Sequence, residues 1–447
     1  MEVDSSKLEK NFHNLREILL SKKLDQEDFT INLSSERSQF TRFNQGKVRQ
    51  TGVVYDGSVH LTLMANNRSG FCHFPFTGNW EIDQEVACQN LEELREEISM
   101  LPVDPYIVLP EGEGNIREIH EGKILALEKV PDSILTSLEN LDFTGMYAGG
   151  IIMRGYGDSK GKSHWFVTNS FNLDYSLIIA PKKAVKATFA GREWKQSAYI
   201  NKIADGKKQL SLLSREPRKL PRGKYRTYFA PGAVAELLDM LSWGAISESS
   251  IQQGNSALAP LSRGEKQLSP KFNLKENFRS GLTPRFNSLG EISPQELTLI
   301  ENGGLVNSLV NSRTAKEYNK VSNAANSSET LRSPEIKMGN LDFGDILTSL
   351  GTGLYVSNLH YLNWSNRQTG RITGMTRYAC FWVEDGEMIS PIENLRFDES
   401  LYDFWGEKLV DFTNFQDLIP EVGTYTKRQL GGSLVPGMLV EDFSYSF

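Results

Sequence analysis

The chain has 447 residues, of which 39% are hydrophobic, 10% aromatic and 23% charged. That composition supports buried cores without disulfide or metal staples and excludes a disordered chain. Fifty-six Asp and Glu against 49 Lys and Arg give a formal charge of −7, which excludes a global positive field for gripping nucleic acid. Three scattered cysteines (Cys72, Cys88 and Cys380) make neither a disulfide framework nor a CxxC zinc pair.

Residues 1–20 carry Glu2, Asp4, Glu9 and Lys10 in place of the apolar run of a signal peptide. No window approaches the ~18 consecutive apolar residues of a bilayer span. The expected compartment is the cytoplasm, with no membrane partner. At roughly 150 residues per domain, the length predicts two or three domains.

The first element is a helix capped by Asp4, Ser5 or Ser6, with Leu8, Phe12, Leu15 and Leu19 on its apolar stripe. Short strands follow. Asn44-Gln45-Gly46 reads as a turn between Phe40–Phe43 and Val48–Thr51, and Asp56-Gly57 as a tight hairpin between Val53–Tyr55 and Val59–Met64. A second helix is predicted over Glu81–Leu101, burying Val86, Leu91, Leu94 and Ile98. Residues 102–140 are rich in Pro and charge, with one short helix near Pro131–Leu138. Strands return at Met146–Arg154, His164–Thr168 and Tyr175–Ala180.

From Pro181 to Arg226 fourteen Lys or Arg face only Glu193, Asp205 and Glu216. This reads as a solvated strand face and interdomain connector; aromatic residues for base stacking are sparse, so nucleic acid is not the expected partner. A helix follows Pro231, with Val234, Leu237, Leu238 and Leu241 at i, i+3, i+4 and i+7, and Gly244 near its end. Residues 247–295 read as a long irregular excursion. Hairpins are predicted at Glu301-Asn302-Gly303-Gly304 and at Glu384-Asp385-Gly386, and Leu439–Phe447 has no disordered-tail character.

The sum is an α+β chain. Residues 1–215 form a helix-covered, mostly antiparallel sheet with a β-rich central segment from about 145. Residues 222–447 form a mostly-β domain, barrel-like or sandwich-like, carrying the helix 231–245.

Tests for chemistry come back negative. The two histidines nearest in sequence, His60 and His73, are not at i, i+4, and Cys72-His73 on a strand would point to opposite faces. Gly161-Lys162-Ser163 resembles the end of a P-loop, but Tyr156 stands where its first glycine belongs and a strand follows it. Ser159 and Lys162 satisfy Ser-x-x-Lys only within that turn. Cys380, in the alternating run Arg377-Tyr378-Ala379-Cys380-Phe381-Trp382, reads as a buried thiol. The residues taken alone show no catalytic set.

The chain resembles the TldD/TldE (PmbA) family, whose members are also labelled modulators of DNA gyrase. The resemblance runs over nearly the whole length. It rests on Glu36-Arg37-Ser38 through Arg42-Phe43-Asn44 and Gly46, then Thr168-Asn169-Ser170, then Thr227-Tyr228-Phe229-Ala230-Pro231 leading to Gly244-Ala245-Ile246. It continues through Gly351-Thr352-Gly353-Leu354-Tyr355-Val356, Thr369-Gly370, Phe381-Trp382-Val383-Glu384-Asp385-Gly386-Glu387, and Gly432-Ser433 with Pro436.

The resemblance implies that TldD-type members hold zinc with HExxxH on a helix and a cysteine near the C-terminus, the glutamate serving as general base. In this chain Glu236 and Leu241 stand at the two histidine positions, Leu237 at the glutamate, and Gly431 at the cysteine. The resemblance therefore points to the TldE/PmbA side. It implies no catalytic residue and no cofactor in this chain, zinc in a TldD-type partner, and proteolysis of small or unfolded peptides by the heterodimer. The alternative is a stand-alone homodimer that binds extended peptides at a sheet edge. A third reading is an autonomous hydrolase built on Ser159 and Lys162.

Overall fold

A computed structural model describes residues 5–112, 114–138, 141–180 and 183–446. The expected cap Asp4 and the terminal Phe447 lie outside them. The protein is α+β, with helices over an N-terminal sheet and a mostly-strand C-terminal region.

The opening helix runs Ser5–Lys22 and buries Asn11, Phe12, Leu15 and Leu19. The second runs Trp80–Ile98. Its buried face is Asp83, Ala87, Leu91, Leu94 and Ile98, so Ala87 lies at the centre and Val86 only flanks it. Asn79 caps this helix, its side chain accepting from the Glu81 amide, while Asp83 in the first turn is buried because its carboxylate ties down the incoming chain, accepting from the Thr77 amide and hydroxyl and from the Gly78 amide. Both helices pack on Phe29, Ile31, Leu33, Val59, Leu61 and Leu63, the alternate residues of two neighbouring strands.

Those strands are Glu27–Asn44 and Lys47–Ala65, joined by the Gln45-Gly46 turn as expected. The Asp56-Gly57 hairpin does not exist. Lys47–Ala65 passes straight through it, paired along its length with Glu27–Asn44. The turn lies instead at Asn66-Asn67, both with positive φ, and leads into Arg68–Pro75. Gly57 answers a different need: a Cβ there would sit 2.4 Å from the Phe76 carbonyl oxygen.

The sheet order is Arg68–Pro75, Lys47–Ala65, Glu27–Asn44, Asp142–Asp158, Ser163–Ala180, Asn115–His120, with Lys183–Gly191 also on Ser163–Ala180. Asn115–His120 alone runs parallel to its neighbour. Residues 159–162 form the hairpin turn read from Gly161-Lys162-Ser163. The basic stretch is less extended than its charges imply, because Gln196–Leu213 is a helix. Tyr199, Ile203, Gly206, Leu210 and Leu213 make its buried stripe. It joins the two halves: its residues share one cluster with Phe143, Tyr147 and Phe171 of the first sheet and Ala379 and Phe381 of the second.

The C-terminal sheet is mixed. Five of its strands close a ring: Gly223–Phe229, Gly353–Asn366, Arg371–Glu384, Arg396–Ser400 and Gly432–Tyr445, the last pairing back on the first. The ring satisfies its own edges, as a barrel does. Pro231–Ser242 follows the first ring strand directly, and its Val234, Leu237, Leu238 and Leu241 enter the same core as Phe229, Val356, Ile372, Phe397 and Phe443. Residues 247–295 hold the short helices Glu248–Gln252 and Ala259–Ser262, the strand Leu274–Asn277 and a single 3-10 turn at Phe278–Ser280, as the composition implied. Hairpins stand at Asn302-Gly303 and Asp385-Gly386, all four residues with positive φ. Among the described residues no helix is long and apolar enough to cross a membrane.

Candidate functional site

The helix Pro231–Ser242 has two chemical faces. Glu236 and Asp239 stand three positions apart, so both carboxylates project from one side, and both are exposed. Leu237 and Leu241 point the other way and are fully buried. Asp239 and Ser242 line a crevice of about 460 Å³. Its other walls are Thr283, the segment from Asn326 to Pro334, and the run Glu421 to Ser433.

The last run is held by contacts to both halves of the molecule. Gly431 N–H donates to the Leu282 carbonyl at 3.2 Å, and Gln429 N–H to that of Gly423 at 3.0 Å. Arg428 is buried and reaches into the N-terminal sheet, donating to the carbonyls of Ser170 at 2.5 Å and Gly150 at 2.8 Å. Its own backbone N–H donates to Glu36, whose other carboxylate oxygen accepts from Ser38. Burial brings the Arg428 guanidinium down to about 10, with the Glu36 carboxylate opposing the shift. Gly150 permits the approach of strand Glu27–Asn44, since a Cβ there would meet the Arg37 carbonyl at 2.1 Å.

Electrostatically the crevice is acidic on one side. Asp239 is pushed up to about 7, first by desolvation and then by Glu421 and Glu236. Glu236 is raised by desolvation and Glu421, and Glu421 by desolvation alone. Glu236, Asp239 and Glu421 are all open to solvent, which screens their mutual repulsion, so the direction of the shifts matters more than their size. The recess therefore binds protons more readily than free carboxylates do, and Asp239 exchanges between donor and acceptor near neutrality. On the opposite wall Arg332 is committed elsewhere: it donates to Ser293 Oγ at 2.6 Å and to the Ala324 carbonyl at 3.0 Å, over the Phe278 ring.

Of the four positions singled out in the sequence, Glu236 and Gly431 come to the crevice region, while Leu237 and Leu241 go to the core. Asp239, Glu421 and Arg332 were not read from the sequence. Asp239 carried a signal, its i+3 spacing from Glu236; Glu421 carried none, because only the folded chain returns it to the helix.

These residues do not fit zinc. Carboxylates crowded enough to raise one another lack the imidazole and thiolate donors that structural and catalytic zinc sites use. Among the described residues no group of three His, Cys, Asp or Glu is placed to hold a metal. Gly431 has φ +93°, and a Cβ there would lie 2.7 Å from the Arg332 carbonyl oxygen. A cysteine has no room at that backbone position.

The other sequence candidates are structural in their contacts. Ser159 Oγ donates to Asp28 at 2.7 Å and accepts from the Phe29 amide. Cys380 is buried, which pushes its thiol up to about 11.

A family model described as the PmbA/TldA metallopeptidase C-terminal domain matches residues 222–446. The chain is 22% identical to metalloprotease PmbA of Escherichia coli O157:H7 over 94% of this chain and 93% of that protein. In structure it resembles TldE from Thermococcus kodakarensis, with a TM-score of 0.77 at 15% identity, covering 98% of this chain and all of the other. A Thermotoga maritima protein described as a modulator of a DNA gyrase gives 0.75 at 18% identity, over 98% of this chain and all of that one. The order of motifs, the ring with its following helix and these matches agree: the chain belongs to the TldD/TldE (PmbA) metallopeptidase family.

Proposed function

We propose that this chain is the non-catalytic, TldE/PmbA-like subunit of a cytoplasmic zinc metallopeptidase. A TldD-type partner brings the zinc and its activated water. This chain closes the chamber and limits entry to small or unfolded peptides. One observation carries the reading: the helix after the first ring strand turns Leu237 and Leu241 into the core, lines the crevice with Asp239 and Ser242, and leaves Glu236 exposed beside them. Leucines bury ~1.5–3 kcal/mol of apolar side chain each and cannot ligate a metal.

Co-expression with a histidine-bearing TldD-type protein of the same genome tests it. A stable complex is expected, with zinc tracking the partner and peptide cleavage needing both chains. Chelator-insensitive cleavage by this chain alone would overturn it.

A second reading is a stand-alone homodimer that binds extended peptides by adding a strand to a sheet edge, which the outermost strand Arg68–Pro75 offers. Titration of this chain with extended peptides, no partner present, separates the two: tight binding by a homodimer supports the second.

A further inference from the structure

The N-terminal sheet brings together two histidines that sequence spacing keeps apart. The Asn66-Asn67 turn sets the register of Lys47–Ala65 against Arg68–Pro75 so that His60 lies directly opposite His73. His60 Nδ1 and His73 Nε2 are 3.0 Å apart, and the ring centroids 4.3 Å. The other nitrogen of His60, Nε2, is 3.0 Å from Thr62 Oγ1. Phe71 stacks beside both rings, at 5.2 Å from His60 and 6.1 Å from His73, and is 66% exposed. Both histidines are partly exposed, on the outermost pair of strands of the sheet.

We propose that His60 and His73 form a two-imidazole site for a divalent transition ion of the nickel–copper type. With metal–nitrogen bonds of ~2.05 Å, a 3.0 Å nitrogen separation subtends about 94° at the ion. That is the angle between neighbouring donors in square-planar or octahedral coordination, which nickel and copper take. A tetrahedral zinc site asks for a wider separation.

Each ring offers the ion one nitrogen, His60 Nδ1 and His73 Nε2, in place of the hydrogen bond that these two atoms share without it. Thr62 Oγ1 is placed to accept from His60 Nε2–H once Nδ1 ligates the ion, the usual outer-shell role at metal-bound histidine. Phe71 walls one side, and water completes the coordination on the open side. The ion clips Arg68–Pro75, an edge strand, to its only neighbour in the sheet.

The test uses the full chain and nickel(II) chloride alone, in a non-chelating buffer at neutral pH. Calorimetry is expected to show one equivalent bound, with a rise in Tm and selective shifts of the His60 and His73 ring resonances. His60→Asn and His73→Asn should each weaken binding at least tenfold and abolish the rise in Tm. Thr62→Val should weaken it about tenfold while leaving the stoichiometry unchanged. Absence of binding overturns the proposal, as does equal affinity in both asparagine variants or shifts confined to other histidines. Unchanged near-ultraviolet circular dichroism confirms that the variants are folded.

Discussion

Replacing Asp239 by Asn tests the electrostatic reading of the crevice. In the fold this carboxyl is raised from 3.8 to about 7. An acid whose folded value lies above its unfolded one binds more protons folded than unfolded between those two values. Stability from this group is therefore greatest below about pH 4 and declines as pH rises to about 7, where the folded carboxyl ionises. Asp239→Asn removes the ionisation and should be close to neutral at about pH 4 and stabilising at about pH 8.

Three units taken at face value would be ~4 kcal/mol. The side chain is open to solvent, however, and screening reduces that to ~1 kcal/mol or less. Denaturant unfolding of the two proteins at both pH values reads the difference, and carboxyl NMR reads the titration. Glu421→Gln should move the Asp239 midpoint down, because Glu421 is the largest charge acting on it. An equal difference in stability at both pH values would refute the reasoning, as would an Asp239 midpoint near 4 in the parent protein.

Restoring the family's metal motif by Glu236→His, Leu237→Glu and Leu241→His should yield no zinc by metal analysis. It should also unfold much of the protein, since an unpartnered carboxyl at the fully buried Leu237 costs ~2–7 kcal/mol beyond the ~1.5–3 kcal/mol of lost leucine burial. Arg428→Met should cost about 2–4 kcal/mol by orphaning the Ser170 and Gly150 carbonyls. Limited proteolysis should then cut within residues 421–431 sooner than in the parent. Gly57→Ala should destabilise the fold by ~1–3 kcal/mol through strain against the Phe76 carbonyl, read as a lower denaturant midpoint. Gly52→Ala on the same strand, where a Cβ meets nothing within 4 Å, should not.

Where periodicity and packing agree, the sequence was readable. Phe12, Leu15 and Leu19, and Leu237, Leu238 and Leu241, are buried as their spacing implied. Failures came where a local signal had two physical causes. Asp56-Gly57 has hairpin chemistry, but Gly57 is there for a close backbone approach and the chain does not turn. The helix Gln196–Leu213 was hidden because its outward lysines dominate the composition, while Tyr199, Ile203, Leu210 and Leu213 carry the stripe.

The zinc positions were readable only through the family resemblance, although the apolar stripe already placed Leu237 and Leu241 toward the core. Glu421 and Arg332 meet the helix through tertiary folding alone. The His60–His73 pairing was implicit in an Asn-Asn turn midway between them, a signal as strong as the Asp-Gly one that misled.

Arg428 has a consequence for how the molecule is made. Its amide reaches Glu36 across 392 positions of chain. On the ribosome the first sheet emerges long before Arg428 exists, and until then Glu36 has Ser38 on one oxygen while the Ser170 and Gly150 carbonyls lack their guanidinium donor. Such distant pairings close slowly and leave the nascent half exposed in the meantime. A nascent chain stalled before residue 428 should be captured by holdase chaperones in a way the finished protein is not.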